Sequence, residues 1–434
     1  KLKLNASKAT RWGALVIVAF TMMAAYYVND VVAPLKTLFE TDLAWSSTDF
    51  GFFTGGYSFL NVFFLMLIWG GLILDRFGIR FTGKLATILM VGGTALEYYA
   101  MTGLAGADAT LFGINEIFGY KTGVFVAFAG YSIFGVGAEV AGITVSKIIA
   151  KWFKGKELAT AMGVQVALAR IGSQAGYAVA IPLARAFGIS TPVLLGLVLL
   201  LGGMIAFFIF AVMDKKLDKQ MEAAAIAAGT EDEEEKFSFK DVKNILVNPG
   251  FWLIALLCVL FYSCVFPFQK FASELMIIKY GINENVAGTF AGLPALGALI
   301  LTPVFGGFID KRGKSASIML LGSAMLICVH FIYAIPDINY WLVAIVLMII
   351  LGIAFSLVPS AMWPAVAKIF PVSQLGTAYA LIFFIQNIGL WGIPTLIGWV
   401  LDAYCISGKK QDGTNMYDYT VPMCIFTGIA CLSL

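Results

Sequence analysis

The chain has 434 residues, of which 60% are hydrophobic and only 13% are charged. About 25% of the residues of an ordinary soluble domain are charged, so most of this chain is expected to lie in lipid. The formal net charge of +3 does not indicate nucleic acid, because the basic residues lie in short loops between apolar runs.

Apolar runs long enough to cross a bilayer follow one another along the whole chain. A spanning helix needs about 20 apolar residues, and twelve runs satisfy this, at 12–35, 50–73, 82–102, 122–150, 157–186, 190–213, 250–278, 285–309, 315–335, 339–367, 374–401 and 418–434. The pattern predicts an all-α integral membrane protein with twelve transmembrane helices in two six-helix halves, residues 1–213 and 244–434. The polar stretch 214–243, with its acidic run at 231–235, is predicted to be a cytoplasmic linker.

The distribution of Lys and Arg predicts the orientation. Of the 29 basic residues, 21 lie at the N-terminus or in loops that follow even-numbered runs. Arg170 lies inside a span, and seven are assigned to the opposite side: Lys36, Lys121, Arg185, Lys270, Lys279, Lys409 and Lys410. Positively charged loops stay in the cytoplasm, so both termini are predicted to be cytoplasmic. Glu97, in the third run, is expected to reach the opposite interface.

One short pattern occurs at the same place in each half, after the second and the eighth run. Residues 71–78 and 306–313 both read G-x-x-x-D-(R/K)-x-G. Glycine permits close helix approach and tight turns, and an aspartate at a helix end can form a contact that breaks in another conformation. A single copy of the pattern is equally well explained as a cluster of charges in a loop. Two copies at equivalent positions favour a gating role. The predicted gating residues are Asp75, Arg76, Asp310 and Lys311.

Two opposite charges lie inside spans four and five. Glu139 and Arg170 are placed roughly 16 and 20 Å from the cytoplasmic ends of their predicted helices, near the middle of a core about 30 Å thick. Ionisable groups at this depth are functional candidates by default. They form either a structural ion pair or a site in which the carboxylate meets an ammonium group and the guanidinium holds a carboxylate.

Polar and aromatic side chains elsewhere in the spans are further candidates. Asp30 and Asn61 lie toward the outer mouth of spans one and two. The second half places no charge in the middle of spans seven to eleven and offers Trp363, Gln386 and Asn387. Pro267 is expected to kink span seven.

Neither a metal nor a cofactor is expected. None of the six cysteines has a metal-binding spacing such as C-x-x-C. His330 is the single histidine, which excludes a histidine cluster.

Several strings together resemble the lysosomal dipeptide transporter branch of the major facilitator superfamily. They are Trp152-Phe-Lys-Gly-Lys-Glu-Leu158, Ala169-Arg-Ile-Gly-Ser173, Val265-Phe-Pro-Phe268, Pro303-Val-Phe-Gly306, Trp363-Pro364, Gln374-Leu-Gly-Thr-Ala-Tyr379 and Gln386-Asn-Ile-Gly-Leu390. The resemblance implies the major facilitator fold and transport of dipeptides by alternating access. It also implies that a carboxylate in span four and an arginine in span five hold the two ends of the peptide.

The resemblance assigns these roles to individual residues. Glu139 and Arg170 match the family positions at the same separation of 31 residues, and Asp30, Tyr57 and Asn61 match other positions with less defined roles. The family reads Gly-Gly-Glu-Ser around the carboxylate, whereas residues 137–140 read Gly-Ala-Glu-Val. Lysosomal location is not carried over, because no dileucine signal and no outer-loop glycosylation sequon are present. A monomer in a bacterial inner membrane is expected.

The sequence also bears on other classes of function. A major facilitator transporter of another small organic solute, an amino acid or an organic anion, with or without proton coupling, is the main alternative. The Glu-x-x-Glu-Arg string of proton-coupled peptide carriers is absent from span one, which favours uniport. A receptor built on this fold would need an output domain, and the sequence offers none. An enzyme would need a catalytic cluster at one membrane interface, and no such cluster is found in the sequence.

Overall fold

The computed structural model describes residues 4–153, 156–228 and 239–434. The helices are α1 (Lys8–Val31), α2 (Lys36–Leu43), α3 (Ser47–Phe63), α4 (Met66–Thr102), α5 (Thr122–Phe153), α6 (Leu158–Phe187), α7 (Thr191–Ala228), α8 (Phe239–Val247), α9 (Pro249–Ser263), α10 (Phe266–Tyr280), α11 (Glu284–Ala291), α12 (Leu293–Arg312), α13 (Ser315–Ala334), α14 (Trp341–Ile369), α15 (Val372–Tyr404) and α16 (Thr420–Ser433). Short 3-10 helices lie at Leu4–Ala6 and Ala33–Leu35.

The only described strands form two small antiparallel pairs in loops. β1 (Glu116–Ile117) pairs with β2 (Tyr120–Lys121), with Glu116 opposite Lys121. β3 (Ile406–Lys409) pairs with β4 (Asn415–Tyr417), with Ile406 opposite Tyr417. Both strand pairs lie on one side of the membrane, opposite to the N-terminus. We call this side the far side, and we call the side that holds the N-terminus the terminus side.

The helices confirm the predicted all-α membrane architecture. Among the described residues, eight helical segments are long and apolar enough to cross a bilayer, and α3 with α4 forms a further candidate bent by 58°. α6 and the shorter α16 occupy the positions of the predicted fifth and twelfth spans. Spans one, seven and eight are each built from two helical pieces, and Pro34 and Pro267 lie at two of these breaks. The predicted disturbance of span seven at Pro267 is therefore confirmed.

The repeated pattern has the same backbone form in both halves. Gly78 has φ +76° and Gly313 has φ +66°, a region that side-chain-bearing residues rarely adopt. Gly78 lies at a kink inside α4, between the part that completes the second span and the part that forms the third. Gly313 directly follows α12. In each half the glycine allows the chain to turn at the end of the second span of the repeat unit. A Cβ on Gly71 or Gly306 would meet nothing within 4 Å, so the close helix approach expected for these two residues is not used in this conformation.

The two halves meet through close helix packing toward the far side. α3 packs against α15, and α6 packs against α11 and α12. A Cβ on Gly51 would lie 2.3 Å from the carbonyl oxygen of Pro394, and one on Gly288 would lie 2.2 Å from that of Tyr177. Only glycine allows the backbones to approach this closely.

The segment between the halves begins as a helix. α7 continues through Ala228, so the first part of the predicted linker extends span six. Asp214 is fully buried and binds Lys151 of α5 at 2.8 Å. The acidic run 231–235 lies outside the described residues. The division into halves at 213 and 244 stays a prediction.

Candidate functional site

The carboxylate of span four is held by a tyrosine of span two. Glu139 lies half-buried on α5, and the Tyr57 hydroxyl of α3 donates a hydrogen bond to its Oε1 at 2.9 Å. α3 and α5 pack directly against each other, which places the phenol beside the carboxylate. Tyr57, assigned by resemblance alone, therefore contacts one of the two predicted charges.

The guanidinium of Arg170 lies between aromatic rings of both halves. Arg170 is half-buried on α6, with its Cζ 5.8 Å from the Tyr26 ring centre and 5.0 Å from that of Phe355. Tyr26 belongs to α1 and Phe355 to α14. Within the described part of the chain, Arg170 and Glu139 form no ion pair, so their charges remain separate in this conformation.

Helix α1 connects the two charged residues. It packs against both α5 and α6, and the Tyr26 ring lies within electrostatic range of both Glu139 and Arg170. The two predicted charges therefore border one region around Tyr26. Sequence reasoning missed this tyrosine, because a tyrosine in an apolar run carries no distinguishing signal.

Asp30 is part of a buried polar cluster instead of an exposed outer mouth. Its carboxylate accepts hydrogen bonds from Ser173 and from Asn29. Lys270 lies 4.0 Å from it and donates to the Asn29 carbonyl at 2.9 Å and to the Tyr131 hydroxyl at 3.1 Å. This lysine comes from α10, so the cluster joins the two halves.

Lys270 corrects two expectations from the sequence. The sequence counts it among the basic residues of the far side, and it predicts no charge in the middle of spans seven to eleven. Lys270 is buried about 15 Å along α10 from its far-side end at Tyr280. The sequence signal was present, because Lys270 and Glu274 lie one helical turn apart inside an apolar run.

Two other polar residues of the first half are buried without a described partner. Neither side-chain atom of Asn61 on α3 has a hydrogen-bond partner among the described residues, and the same holds for both carboxylate oxygens of Glu97 on α4. Glu97 is fully buried. The expectation that it reaches the far-side interface is wrong, because α5 covers its face of α4.

The second-half candidates divide into an aromatic group and a buried amide pair. The Trp363 indole donates to the Tyr262 hydroxyl at 3.2 Å and stacks on Phe383 with ring centres 5.0 Å apart. The Tyr379 hydroxyl donates to the Trp363 carbonyl. Gln386 and Asn387 are both buried, and Asn387 donates to its own helix at Phe383. Asn387 thus satisfies its amide nitrogen locally.

The predicted gating residues lie on the terminus side. Asp75 is 3.7 Å from Lys147 of α5, in the same half, and the Arg76 guanidinium lies over the Phe77 ring at 5.5 Å. Lys311 is exposed, and the side chain of Asp310 lies outside the described part of the structure. Their gating role stays a prediction.

A buried charge cluster on the far side was not found from the sequence. Lys36 of α2 binds Glu274 of α10 at 2.8 Å and also pairs with Glu40 one turn away. All three side chains are nearly inaccessible, and the Tyr419 hydroxyl donates to Glu274 at 2.9 Å. The sequence assigns Lys36 to the far side, where the structure places it, but does not predict its burial, which arises because α2 packs against α3 and α10.

Further polar contacts between the halves lie on the same side. Asp402, near the end of α15, accepts hydrogen bonds from the backbone N–H groups of Ser47 and Thr48 at the start of α3. A carboxylate at a helix N-terminus is stabilised by the free N–H groups and the helix dipole. Arg185 and Glu284 pair at 2.7 Å.

The sequence model of the Major Facilitator Superfamily matches residues 15–392. The chain belongs to this superfamily. Its relatives include the lysosomal dipeptide transporter MFSD1 of Homo sapiens, 29% identical over 409 residues, which are 91% of this chain and 81% of that protein. The Gallus gallus protein of the same name is 33% identical over 287 residues, 63% of this chain and 62% of that protein.

Solved structures of superfamily members share the fold. The peptide transporter POT in complex with sulfate matches with a TM-score of 0.70 and 13% identity, covering 97% of this chain and 92% of that one. The nucleoside transporter NupG matches with a TM-score of 0.67 and 12% identity, covering 97% and 98%. At these identities the likeness shows the fold alone.

Proposed function

We propose that this transporter carries dipeptides by alternating access, with the peptide ammonium at Glu139 and the peptide carboxylate at Arg170. The observation that carries the proposal is that two opposite charges border one region around Tyr26 without pairing with each other. A carboxylate bound by a guanidinium and an ammonium bound by a carboxylate are both charge-assisted contacts. The relatives named as dipeptide transporters support the same substrate.

The separation of the two charges favours a dipeptide over smaller zwitterions. A free amino acid holds its ammonium and carboxylate too close together to engage two unpaired groups on different helices. A dicarboxylate would place a like charge beside Glu139, which is unfavourable unless Glu139 is protonated. A dipeptide separates its termini by one peptide unit.

The second half is suited to broad side-chain tolerance. Phe355, Trp363 and Tyr262 form an aromatic surface facing the region of Arg170. Aromatic rings contact apolar and polar side chains alike without demanding one hydrogen-bond pattern. We therefore expect strict recognition of the peptide termini and weak discrimination among side chains.

The described contacts correspond to one of the two states that alternating access requires. The halves are joined by ion pairs and helix-end contacts on the far side. We interpret this as the state that is closed on the far side and accessible from the terminus side. The opposite state would break the far-side contacts, and Asp75 and Asp310 with their basic neighbours would brace the terminus side.

Uptake of modified peptides into liposomes tests the substrate assignment. C-terminal amidation should mimic Arg170→Ala, and N-acetylation should mimic Glu139→Gln. Each should lower uptake by at least about 30-fold, because losing one partner of a buried charge-assisted contact costs about 2–5 kcal/mol. Lys243→Ala, which removes an exposed cation of α8 on the terminus side, is the control and should keep wild-type uptake. Equal transport of blocked and free dipeptides would overturn the assignment.

Proton-coupled transport of a small organic solute is a second candidate. The observation in its favour is the set of ionisable groups buried in the first and seventh spans and in α4, namely Asp30, Lys270 and Glu97. Groups of this kind in a membrane are typical of proton relays. Uptake of a neutral dipeptide with and without an imposed pH gradient separates the two cases, since uniport predicts no dependence on the gradient.

We also propose a plasma-membrane location in a bacterium, with both termini cytoplasmic. The asymmetry of Lys and Arg supports the orientation. A cysteine introduced at Asp108, in the exposed far-side loop, should react with an impermeant maleimide on intact cells. A cysteine at Lys243, an exposed position in the middle of α8, should react only after permeabilisation. The reverse pattern would invert the topology.

A further inference from the structure

A basic cavity lies between α4 and α7 at the terminus side, away from the candidate substrate site. Its volume is about 530 Å³, and it is lined by Arg80, Lys84, Ala211, Val212 and Lys215. No part of the proposed transport function uses these residues. Three cations around one cavity need an anionic occupant or a local carboxylate to balance them.

The local carboxylates balance only part of this charge. Asp214 and Asp218 on α7 pair with Arg80 and also with Lys151 of α5. Two carboxylates thus offset two cations. Among the described residues no carboxylate pairs with Lys84 or Lys215, which leaves two positive charges in excess at the cavity.

The depth of the cavity places it at the edge of the hydrocarbon. Val212 lies about 32 Å along α7 from Thr191, at 1.5 Å per residue, and the hydrocarbon core is about 30 Å thick. Lys84 is one turn deeper than Arg80, with its ammonium 5.3 Å from the Phe208 ring. A lysine in this position buries its stem in apolar surroundings and directs its charge toward the interface.

The rim of the cavity faces lipid. Val212 and Ile209 on α7 are 58% and 55% exposed, and Phe81 on α4 is 51% exposed. Apolar side chains exposed to this degree on spanning helices contact acyl chains. An occupant of the cavity must therefore combine a negatively charged head with apolar tails beside it.

We propose that this cavity binds the phosphate headgroup of an anionic phospholipid, with Lys84 and Lys215 contacting the phosphate oxygens. Arg80 is held by Asp214 and Asp218 and shapes the wall of the cavity. Basic recesses between helices at the cytoplasmic interface suit such headgroups. The acyl chains lie along Phe81, Ile209 and Val212. This inference does not depend on the substrate of the transporter.

Thermal unfolding of the purified full-length chain in detergent tests the proposal. Phosphatidylglycerol should raise the unfolding midpoint by about 3 °C or more through binding to the folded state, whereas phosphatidylcholine should not. Lys84→Gln with Lys215→Gln should abolish the difference between the two lipids. Lys243→Gln with Lys368→Gln removes two exposed cations of α8 and α14 on the same membrane side and should preserve it.

Two further measurements keep the result specific. Native mass spectrometry should show phosphatidylglycerol retained by wild type and by the control pair but lost from the cavity pair. The midpoint of the cavity pair in phosphatidylcholine should match that of wild type, which shows that the variant is folded. Stabilisation by inorganic phosphate equal to that by phosphatidylglycerol would overturn the lipid assignment, and an unchanged lipid preference in the cavity pair would overturn the site.

Discussion

The hydroxyl of Tyr57 determines where the Glu139 carboxylate points. Without this hydrogen bond, the Glu139 side chain would adopt several rotamers in the region around Tyr26. Arg170 is held differently, by two aromatic faces and not by a carboxylate. A guanidinium over aromatic rings keeps its N–H donors available, which suits the proposed role of Arg170 in binding the peptide carboxylate.

We expect Tyr57→Phe to weaken transport through substrate binding. Removing a hydrogen bond to a charged group costs about 1.5–3 kcal/mol, or roughly 10- to 150-fold in affinity. Uptake of a dipeptide series in liposomes should show a raised KM for all side chains alike. Tyr27→Phe is the control, because the Tyr27 hydroxyl donates to the Pro192 carbonyl and not to Glu139. An effect of equal size in both variants would show that Tyr57 acts on folding alone.

At the scale of elements, the repeated pattern allows the chain to turn from one helix into the next. Gly78 has φ +76° and ψ 176°, a region populated almost only by glycine. Gly313 takes a related conformation in the second half. Because this backbone conformation favours glycine, both copies of the pattern contain glycine at this position.

Gly78→Ala is expected to destabilise the protein by about 1–3 kcal/mol, the usual cost of holding a side-chain-bearing residue in this backbone region. The unfolding midpoint should fall accordingly. Gly392→Ala, inside α15, is the control, since its added Cβ would meet nothing within 4 Å and alanine favours a helix interior. A midpoint for Gly78→Ala at or above that of wild type would contradict the backbone explanation.

Asp75 belongs to the same element and is predicted to act only in the opposite state. In the present conformation it makes one exposed ion pair within its own half, which contributes little to stability. Asp75→Asn should therefore slow transport while leaving dipeptide binding and the unfolding midpoint nearly unchanged. Binding by isothermal titration and uptake in liposomes measure the two effects separately, and loss of binding would contradict the gating role.

At the scale of the whole molecule, charged groups of the two halves meet in a buried contact on the far side, and in the proposed mechanism they keep that side closed. Lys36 and Glu274 come from different halves, whereas Lys36 and Glu40 belong to the same helix. If Glu274 leaves, Lys36 keeps one carboxylate partner. This arrangement lowers the cost of separating the halves, because neither opening nor closing leaves the lysine charge alone in an apolar environment.

Glu274→Gln is expected to shift the population toward the state that is open on the far side. The loss of one charge-assisted bond of about 1.5–3 kcal/mol changes a two-state equilibrium by roughly 10- to 150-fold. Spin labels at the exposed positions Asp42 and Asn285 should then report a longer distance by pulsed electron resonance. Asp218→Asn removes a carboxylate that pairs within the first half alone and should leave the distance distribution unchanged. Unchanged distances in Glu274→Gln would show that this pair does not latch the far side.

The amino-acid sequence by itself determined the membrane class, the helical spans and the positions of the strongest site candidates. The reason is that lipid imposes local requirements: a span must be apolar over about 20 residues, and a charge within it stands out against that background. Glu139 and Arg170 could be found in this way. The G-x-x-x-D pattern could be found because its backbone requirement is also local and occurs twice.

The tertiary structure alone decided which residues meet across helices. The charges of Lys36, Lys270 and Glu274 are visible in the sequence, but the sequence does not show that Lys36 pairs with Glu274 or that all three are buried between the halves. Only the breaks in spans one and seven bring them into the contact between the halves. Likewise, the Tyr57–Glu139 bond and the aromatic faces around Arg170 join different helices. Such contacts depend on which segments pack together, although these segments lie far apart in the chain. The pattern of residues within a single span does not contain this information.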